Sequence, residues 1–441
     1  MSYEMIALFM FASMMLMLFT GQRVFGAIGA VGAIAAITLW GTGGSDIAFA
    51  SAMKLMKWYP LLTLPMFIFM GYVLSESKIA DDLYKMFHVW MGPVRGGLAI
   101  GTIGLMILIS AMNGLSVAGM AIGATIALPE LLKRGYDKRM VTGVIQAGSS
   151  LGILVPPSVV LVLYAMIARQ PVGQLWLAGV FPGLLMAALF MLYIYIRCRI
   201  QPELGPALDE DERENMPLSE KLGLLRAGML PLFIFAVMMV PFINGWTSLV
   251  ESSAVGASTA FLAAVFKGRM NKKVFETSVR QTLAISCMFM WIILAALGFG
   301  AVFDGLGAVK AIDTLFTDQL GLNPWVILIL MQLSFLVMGT FLDDTAMLVI
   351  VAPLYVPLVK ALGFDLVWYG VLYTITTQIA YMTPPFGYNL FLMRAMAPPE
   401  ITLKDIYSSI APFVLVMLFA LALVIIFPQI AMWLPNTVYG K

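Results

Sequence analysis

The chain has 441 residues, 61% of them hydrophobic and only 11% charged, with a net charge of +2. Its mean hydropathy of +0.94 excludes a water-soluble domain, where about a quarter of residues are charged. No basic face suggests nucleic acid, and two distant cysteines, Cys198 and Cys287, with the single His88 leave no disulfide framework, transition-metal site or haem site.

The first apolar run, 5–20, is preceded by Glu4 and no basic segment, so it reads as a membrane helix and not as a signal peptide. The second, 24–40, carries Gly26, Gly29 and Gly32, a small face for close helix packing. Residues 41–60 are mixed and, with Lys54, Lys57, Trp58 and Tyr59, interfacial. Residues 1–60 are expected to form an N-terminal scaffold. A third helix is predicted over Leu61–Leu74, then a charged amphipathic connector over 75–96.

Residues 97–134 hold two short apolar arms around a polar tip, Asn113-Gly114-Leu115-Ser116. Arg95 precedes them, and Lys133, Arg134, Lys138 and Arg139 follow. Both ends then lie on the cytoplasmic side, which makes a re-entrant hairpin. Residues 138–170 are apolar but contain Pro156-Pro157. As one helix they would span about 50 Å, against a hydrocarbon core of about 30 Å. Adjacent prolines remove two backbone donors, so a helix unwound in its middle is expected. A span at 175–196 closes a first unit, 61–199. Residues 200–281 hold a charged linker and two connecting helices, at 226–243 and 246–266.

A second unit, 282–435, repeats the plan. After a span at 282–301 come a hairpin at 324–362, with a tip at Gly339-Thr340-Phe341-Leu342-Asp343-Asp344-Thr345, and a broken helix at 366–396 around Pro384-Pro385. The two breaks are offset by 384 − 156 = 228 residues. That offset also places Gly135-Tyr136-Asp137 on Gly363-Phe364-Asp365, Pro129 on Pro357 and Pro171 on Pro399. A constant offset over some 140 residues marks an internal repeat. Five crossings separate equivalent points, and an odd number inverts the second copy. The expected fold is therefore all-α and polytopic, with two inverted-topology repeats, each holding a re-entrant hairpin and a broken helix. The count puts the N-terminus outside and the loops 197–226 and 267–280 inside.

Several stretches resemble the large membrane subunit of tripartite ATP-independent periplasmic (TRAP) transporters, the DctM-like permeases. They are Leu128-Pro129-Glu130, Arg134-Gly135-Tyr136-Asp137-Lys138, the run from Ala147 to Ser158 (AGSSLGILVPPS), Leu177–Gly183, Gly339–Asp343 with Pro353 and Pro357, and Thr383-Pro384-Pro385-Phe386-Gly387. The likeness covers essentially the whole chain. It implies sodium-coupled uptake of a small organic acid across the bacterial inner membrane by an elevator-type motion. It also implies two partners, a periplasmic solute-binding protein and a small four-helix membrane subunit. The first tip departs from the family, which often has Ser where this chain reads Met112-Asn113-Gly114.

Sodium requires several oxygen ligands, and carbonyls freed by unwinding supply them. Candidate sodium ligands are Asn113, Ser116, Ser149 and Gly152 in the first half and Asp343, Thr345 and Thr383 in the second. An intramembrane carboxylate such as Asp343 defaults to a functional role, whereas Asp344 reads as a helix cap. Ser149, Ser150, Thr383 and Asn389 are the candidates for holding an anionic solute at half-helix N-termini. The plainer alternatives are helix back-bonding for the two serines and capping for Asn113 and Ser116. Arg169 and Arg394 lie near helix ends and read as snorkelling side chains. Two other functions compete: a single-component carrier of the same superfold, and a membrane-embedded enzyme, for which no acid/base or metal cluster is present.

Overall fold

A computed structural model describes residues 2–440 apart from 21, 115, 208–217, 315–320, 341, 343 and 385–386; several further side chains, among them those at 110–113, 117–118, 344–346 and 388, are also undescribed. The described residues are helical, joined by turns, with no strand among them. The chain begins with α1 (Tyr3–Phe19), α2 (Val24–Ala35), α3 (Gly44–Met56), α4 (Thr63–Glu76) and the amphipathic α5 (Ile79–Met91). The stretch 41–60, expected to be mixed and interfacial, thus contains a full helix.

Next come α6 (Gly97–Asn113), α7 (Ser116–Ile122) and α8 (Leu128–Lys133), the two arms of the first hairpin. Its open end is closed by the Leu98 amide, which donates to the Tyr136 hydroxyl at 3.3 Å. The broken helix follows as α9 (Lys138–Ser150) and α10 (Val159–Ala168), and then α11 (Val172–Ile200). Asp137 caps α9 by accepting from the amides of Arg139 and Met140.

α12 (Leu218–Ile243), α13 (Leu249–Phe266) and α14 (Lys272–Gly305) link the halves. α14 starts ten residues before the predicted 282. Hydropathy hid this first part, which is held as helix by the Asn271 cap and the i,i+4 pair Glu276–Arg280. The second half runs through α15 (Ala308–Thr314), α16 (Pro324–Gly339), α17 (Asp344–Ala361), α18 (Leu366–Tyr381), α19 (Tyr388–Met396), α20 (Leu403–Ile426) and α21 (Gln429–Tyr439). Asp365 caps α18 as Asp137 caps α9. Trp325 packs on Phe364 at 5.0 Å between ring centroids and closes the second hairpin. Phe364 stands 228 residues after Tyr136 (364 − 136), which closes the first.

Among the described residues six helices are long and apolar enough to cross a bilayer: Tyr59–Glu76, Val172–Ile200, Ser219–Ile243, Leu249–Phe266, Lys272–Gly305 and Leu403–Ile426. Large apolar side chains such as Leu8, Ile37 and Leu415 point outward, as lipid contact requires. The centre is occupied by α9 and α18, buried from Met140 to Ser150 and from Val367 to Tyr381. They are enclosed by α6, α11, α16 and α20. Around them α2 packs on α14 and α4 on α13, while α4 and α14 also pack on each other. The chain is a polytopic helical membrane protein.

Candidate functional site

The first broken helix stops where the prolines stop it. The amides of Leu154 and Val155 both turn back to the Leu151 carbonyl, at 3.1 and 2.9 Å. Ser158 restarts the helix: its Oγ accepts from the Leu161 amide at 3.1 Å and donates to the Ile153 carbonyl. The Trp176 indole donates to the Ser158 carbonyl at 3.2 Å. Each unwound group named here is satisfied, as burial in a membrane protein demands.

The tip of the first hairpin rests on this break. The Val159 amide reaches the Gly114 carbonyl at 3.4 Å. Gly114 has φ +67°, and a Cβ there would lie 2.0 Å from the Pro157 carbonyl oxygen. Glycine is required at this point both by backbone conformation and by space. One turn further on, Gly119 seats α7 directly on Ser149.

Side chains from both halves meet at this junction. Ser116 Oγ donates to Asn389 Oδ1 at 3.1 Å, and Asn389 Nδ2 donates to Ser149 Oγ at 3.4 Å. Ser149 and Ser150 in turn donate to the carbonyls of Gln146 and Ala147, at 2.9 and 2.7 Å. The two serines therefore do back-bond to their own helix, and Ser149 also accepts from Asn389. Gln378 Nε2 donates to the Ser150 carbonyl at 2.7 Å, an oxygen whose usual i+4 donor, the Leu154 amide, has turned back to Leu151. Ser116, Ser149, Ser150, Gln378 and Asn389 are all buried, and the Gln378 side-chain oxygen has no partner among the described residues. A buried polar cluster of this kind, with an orphan oxygen, is a functional signal.

The structure thus joins Ser116, Asn389 and Ser149 through side chains, while the neighbouring Ser150 is tied through its carbonyl to Gln378. Thr383 is half-buried at the second break and donates to the Ile379 carbonyl at 2.7 Å. Gly387 sits there under the carbonyls of Tyr381 and Thr383, 2.5 and 2.9 Å from where a Cβ would lie. Gly152 is buried in a single 3-10 turn just before the first break. Asp343 and the side chains of Asn113, Asp344 and Thr345 lie outside the described residues. Sequence reasoning missed Gln378, and the signal was available: 378 − 150 = 228, the same offset that separates the two proline pairs. Among the described residues no cluster of His, Cys, Asp or Glu suits a metal, and the joined groups are neutral oxygens and amides. Such a set suits a monovalent hard cation and, through hydroxyl and amide donors, a carboxylate.

Residues 11–430 match the model of the family described as tripartite ATP-independent periplasmic transporter, DctM component. The chain belongs to this family. It is the large membrane subunit of a TRAP transporter, a bacterial inner-membrane protein that moves solute and is not an enzyme, so the embedded-enzyme alternative falls away. It is 30% identical over 379 residues to the C4-dicarboxylate TRAP transporter large permease protein DctM of Pseudomonas aeruginosa, covering 86% of each chain. It is 26% identical over 387 residues to the ectoine/5-hydroxyectoine TRAP transporter large permease protein UehC of Ruegeria pomeroyi, covering 86% of this chain and 87% of that one. The crystal structure of the Alcanivorax borkumensis YdaH transporter superposes with a TM-score of 0.65 at 16% identity, over 96% of this chain and 98% of that one. That likeness concerns the fold alone.

Proposed function

We propose that this TRAP permease takes up a small organic anion with sodium, receives it from a periplasmic binding protein and works beside a small membrane subunit. Cation and anion share the junction of Ser116, Ser149, Ser150, Gln378 and Asn389, and Gly152, Thr383, Asn113, Asp343 and Thr345 complete the sodium ligands. The observation that carries this reading is the Ser116–Asn389–Ser149 chain, in which the second half reaches into the tip and break of the first.

Two inverted repeats account for the packing. The end of the first broken helix meets the start of the second, where the Tyr164 hydroxyl donates to the Leu366 carbonyl at 2.8 Å, and the start of the first, Lys138, pairs at 2.7 Å with Asp405 of α20, the helix that follows the second. Contact between Gln378 and its mate Ser150 fits a two-fold axis passing between them. Adding 228 also carries α2 (24–35) into α13 and α4 (63–76) into α14, so the reciprocal packing of α2 on α14 and α4 on α13 extends the repeat into the scaffold. An elevator then moves hairpins and broken helices together, since tip and break are bonded to each other.

Relatives named for different solutes share this permease, which points to the binding protein as the selector. The test is uptake into proteoliposomes holding both membrane subunits, with a panel of labelled organic acids and the cognate binding protein. Uptake that requires both the binding protein and an inward sodium gradient is expected. Uptake without the binding protein would favour the single-component carrier, and uptake indifferent to sodium would remove the coupling ion.

A further inference from the structure

A cleft of about 490 Å³ opens between α9, α11 and α20. It lies at the end of the molecule bearing Arg197 and Arg199, which the count of crossings places in the cytoplasm. Its lining is graded. Of its lining residues, Arg139, Arg197 and Ser408 are exposed, Tyr193 is half-buried, and Met140 and Phe413 are buried and form the floor. Phe413 is walled edge-on by Phe190 at 5.7 Å and Tyr193 at 5.1 Å.

Asp137, which lines the cleft, and Asp405, which holds the lining Arg139, are both engaged. Asp137 accepts from the amides of Arg139 and Met140, each at 3.0 Å. Asp405 is paired with Lys138 at 2.7 Å and with Arg139 Nε at 3.4 Å. Arg139 commits only one corner of its fork to that pair, and its side chain is 54% exposed. Arg197 makes no ion pair among the described residues. The donors left over are two guanidiniums, the groups that best match a phosphate.

We propose that this cleft binds the phosphate headgroup of an anionic lipid from the cytoplasmic leaflet. A free phosphate would touch only the exposed arginines. The aromatic floor, and the place of Arg197 at the foot of the 29-residue apolar α11, match a headgroup whose glycerol and upper chains continue into apolar surroundings. The occupied cleft ties the foot of α9, from the first half, to the foot of α20, from the second.

The test is native mass spectrometry of the full-length protein in detergent with phosphatidylglycerol, phosphatidylcholine or glycerol 3-phosphate. Phosphatidylglycerol is expected to be retained over phosphatidylcholine, and Arg197→Gln should weaken it about fivefold, the effect of one surface cation on an anionic lipid. Arg199→Gln removes the same charge from a side chain held by Tyr195, not from the cleft, and should leave retention unchanged. Equal retention of the two lipids, or an equal effect of both substitutions, overturns the site. Displacement of the lipid by equimolar glycerol 3-phosphate overturns the lipid assignment in favour of a soluble phosphate ester.

Discussion

Gly114→Ala tests the contact on which the transport reading rests. The new Cβ would lie 2.0 Å from the Pro157 carbonyl oxygen, where carbon and oxygen normally stay about 3.3–3.6 Å apart. The tip must retreat by more than about 1 Å. Backbone at φ +67° adds about 1–2 kcal/mol once a Cβ is present. Retreat also breaks the Val159–Gly114 hydrogen bond, and a buried amide left without a partner is worth about 1–3 kcal/mol. The closed tip is then disfavoured by about 2–5 kcal/mol, and since every 1.4 kcal/mol is tenfold, uptake should fall at least about tenfold. The assay is initial-rate uptake in proteoliposomes, normalised to inserted protein. Gly223→Ala serves as control, because nothing lies within 4 Å of its Cβ position. Uptake within twofold of wild type for Gly114→Ala would refute the tip-on-break geometry.

Asn389→Leu cuts the link between Ser116 and Ser149 and should raise the half-saturating concentration of solute or sodium; unchanged saturation curves would reduce Asn389 to packing. Gln378→Leu strips the Ser150 carbonyl of its donor, at about 1–3 kcal/mol, and should lower the melting temperature and make it less sensitive to sodium; an unaltered sodium response would exclude Gln378 from the cation site. Asp343→Asn should weaken the sodium dependence of uptake, and full dependence would remove Asp343 from the ligand set. Asp82 fixes α5 to the α13–α14 turn through Lys267 and Arg269, each at 2.9 Å. Burial raises its pKa, but hydrogen bonds from Arg269 and Lys267 outweigh this and hold it below the usual carboxylate value. A depressed pKa gives stability that is present above the ordinary carboxylate range and lost as pH falls through the lowered value. Hydrogen exchange in Ile79–Met91 should therefore show no titration of the Asp82 contact from pH 5 to 8, whereas Asp82→Asn accelerates it throughout; a change in protection between pH 5 and 8 that Asp82→Asn abolishes would contradict the assignment.

Much of the architecture was legible in one dimension. Proline pairs forbid a continuous helix wherever they stand, so both breaks follow from Pro156-Pro157 and Pro384-Pro385 alone. Short apolar arms around polar tips are equally local, and so is Asp at the position before α9 and α18. The start of α14 was not legible from hydropathy, because its first turns are polar and owe their helicity to a cap and an i,i+4 pair.

The candidate site divides along the same line. Sequence alone named Ser116, Ser149, Ser150 and Asn389, because polar groups in apolar runs are conspicuous. It could not say that Asn389 joins Ser116 to Ser149, that Gln378 serves the carbonyl that the break leaves at Ser150, or that Gly114 lies on the Pro157 oxygen. Local chemistry decides where a backbone must unwind. Which side chain then satisfies the unwound group depends on contacts between residues hundreds of positions apart, and only packing of the two halves brings those together.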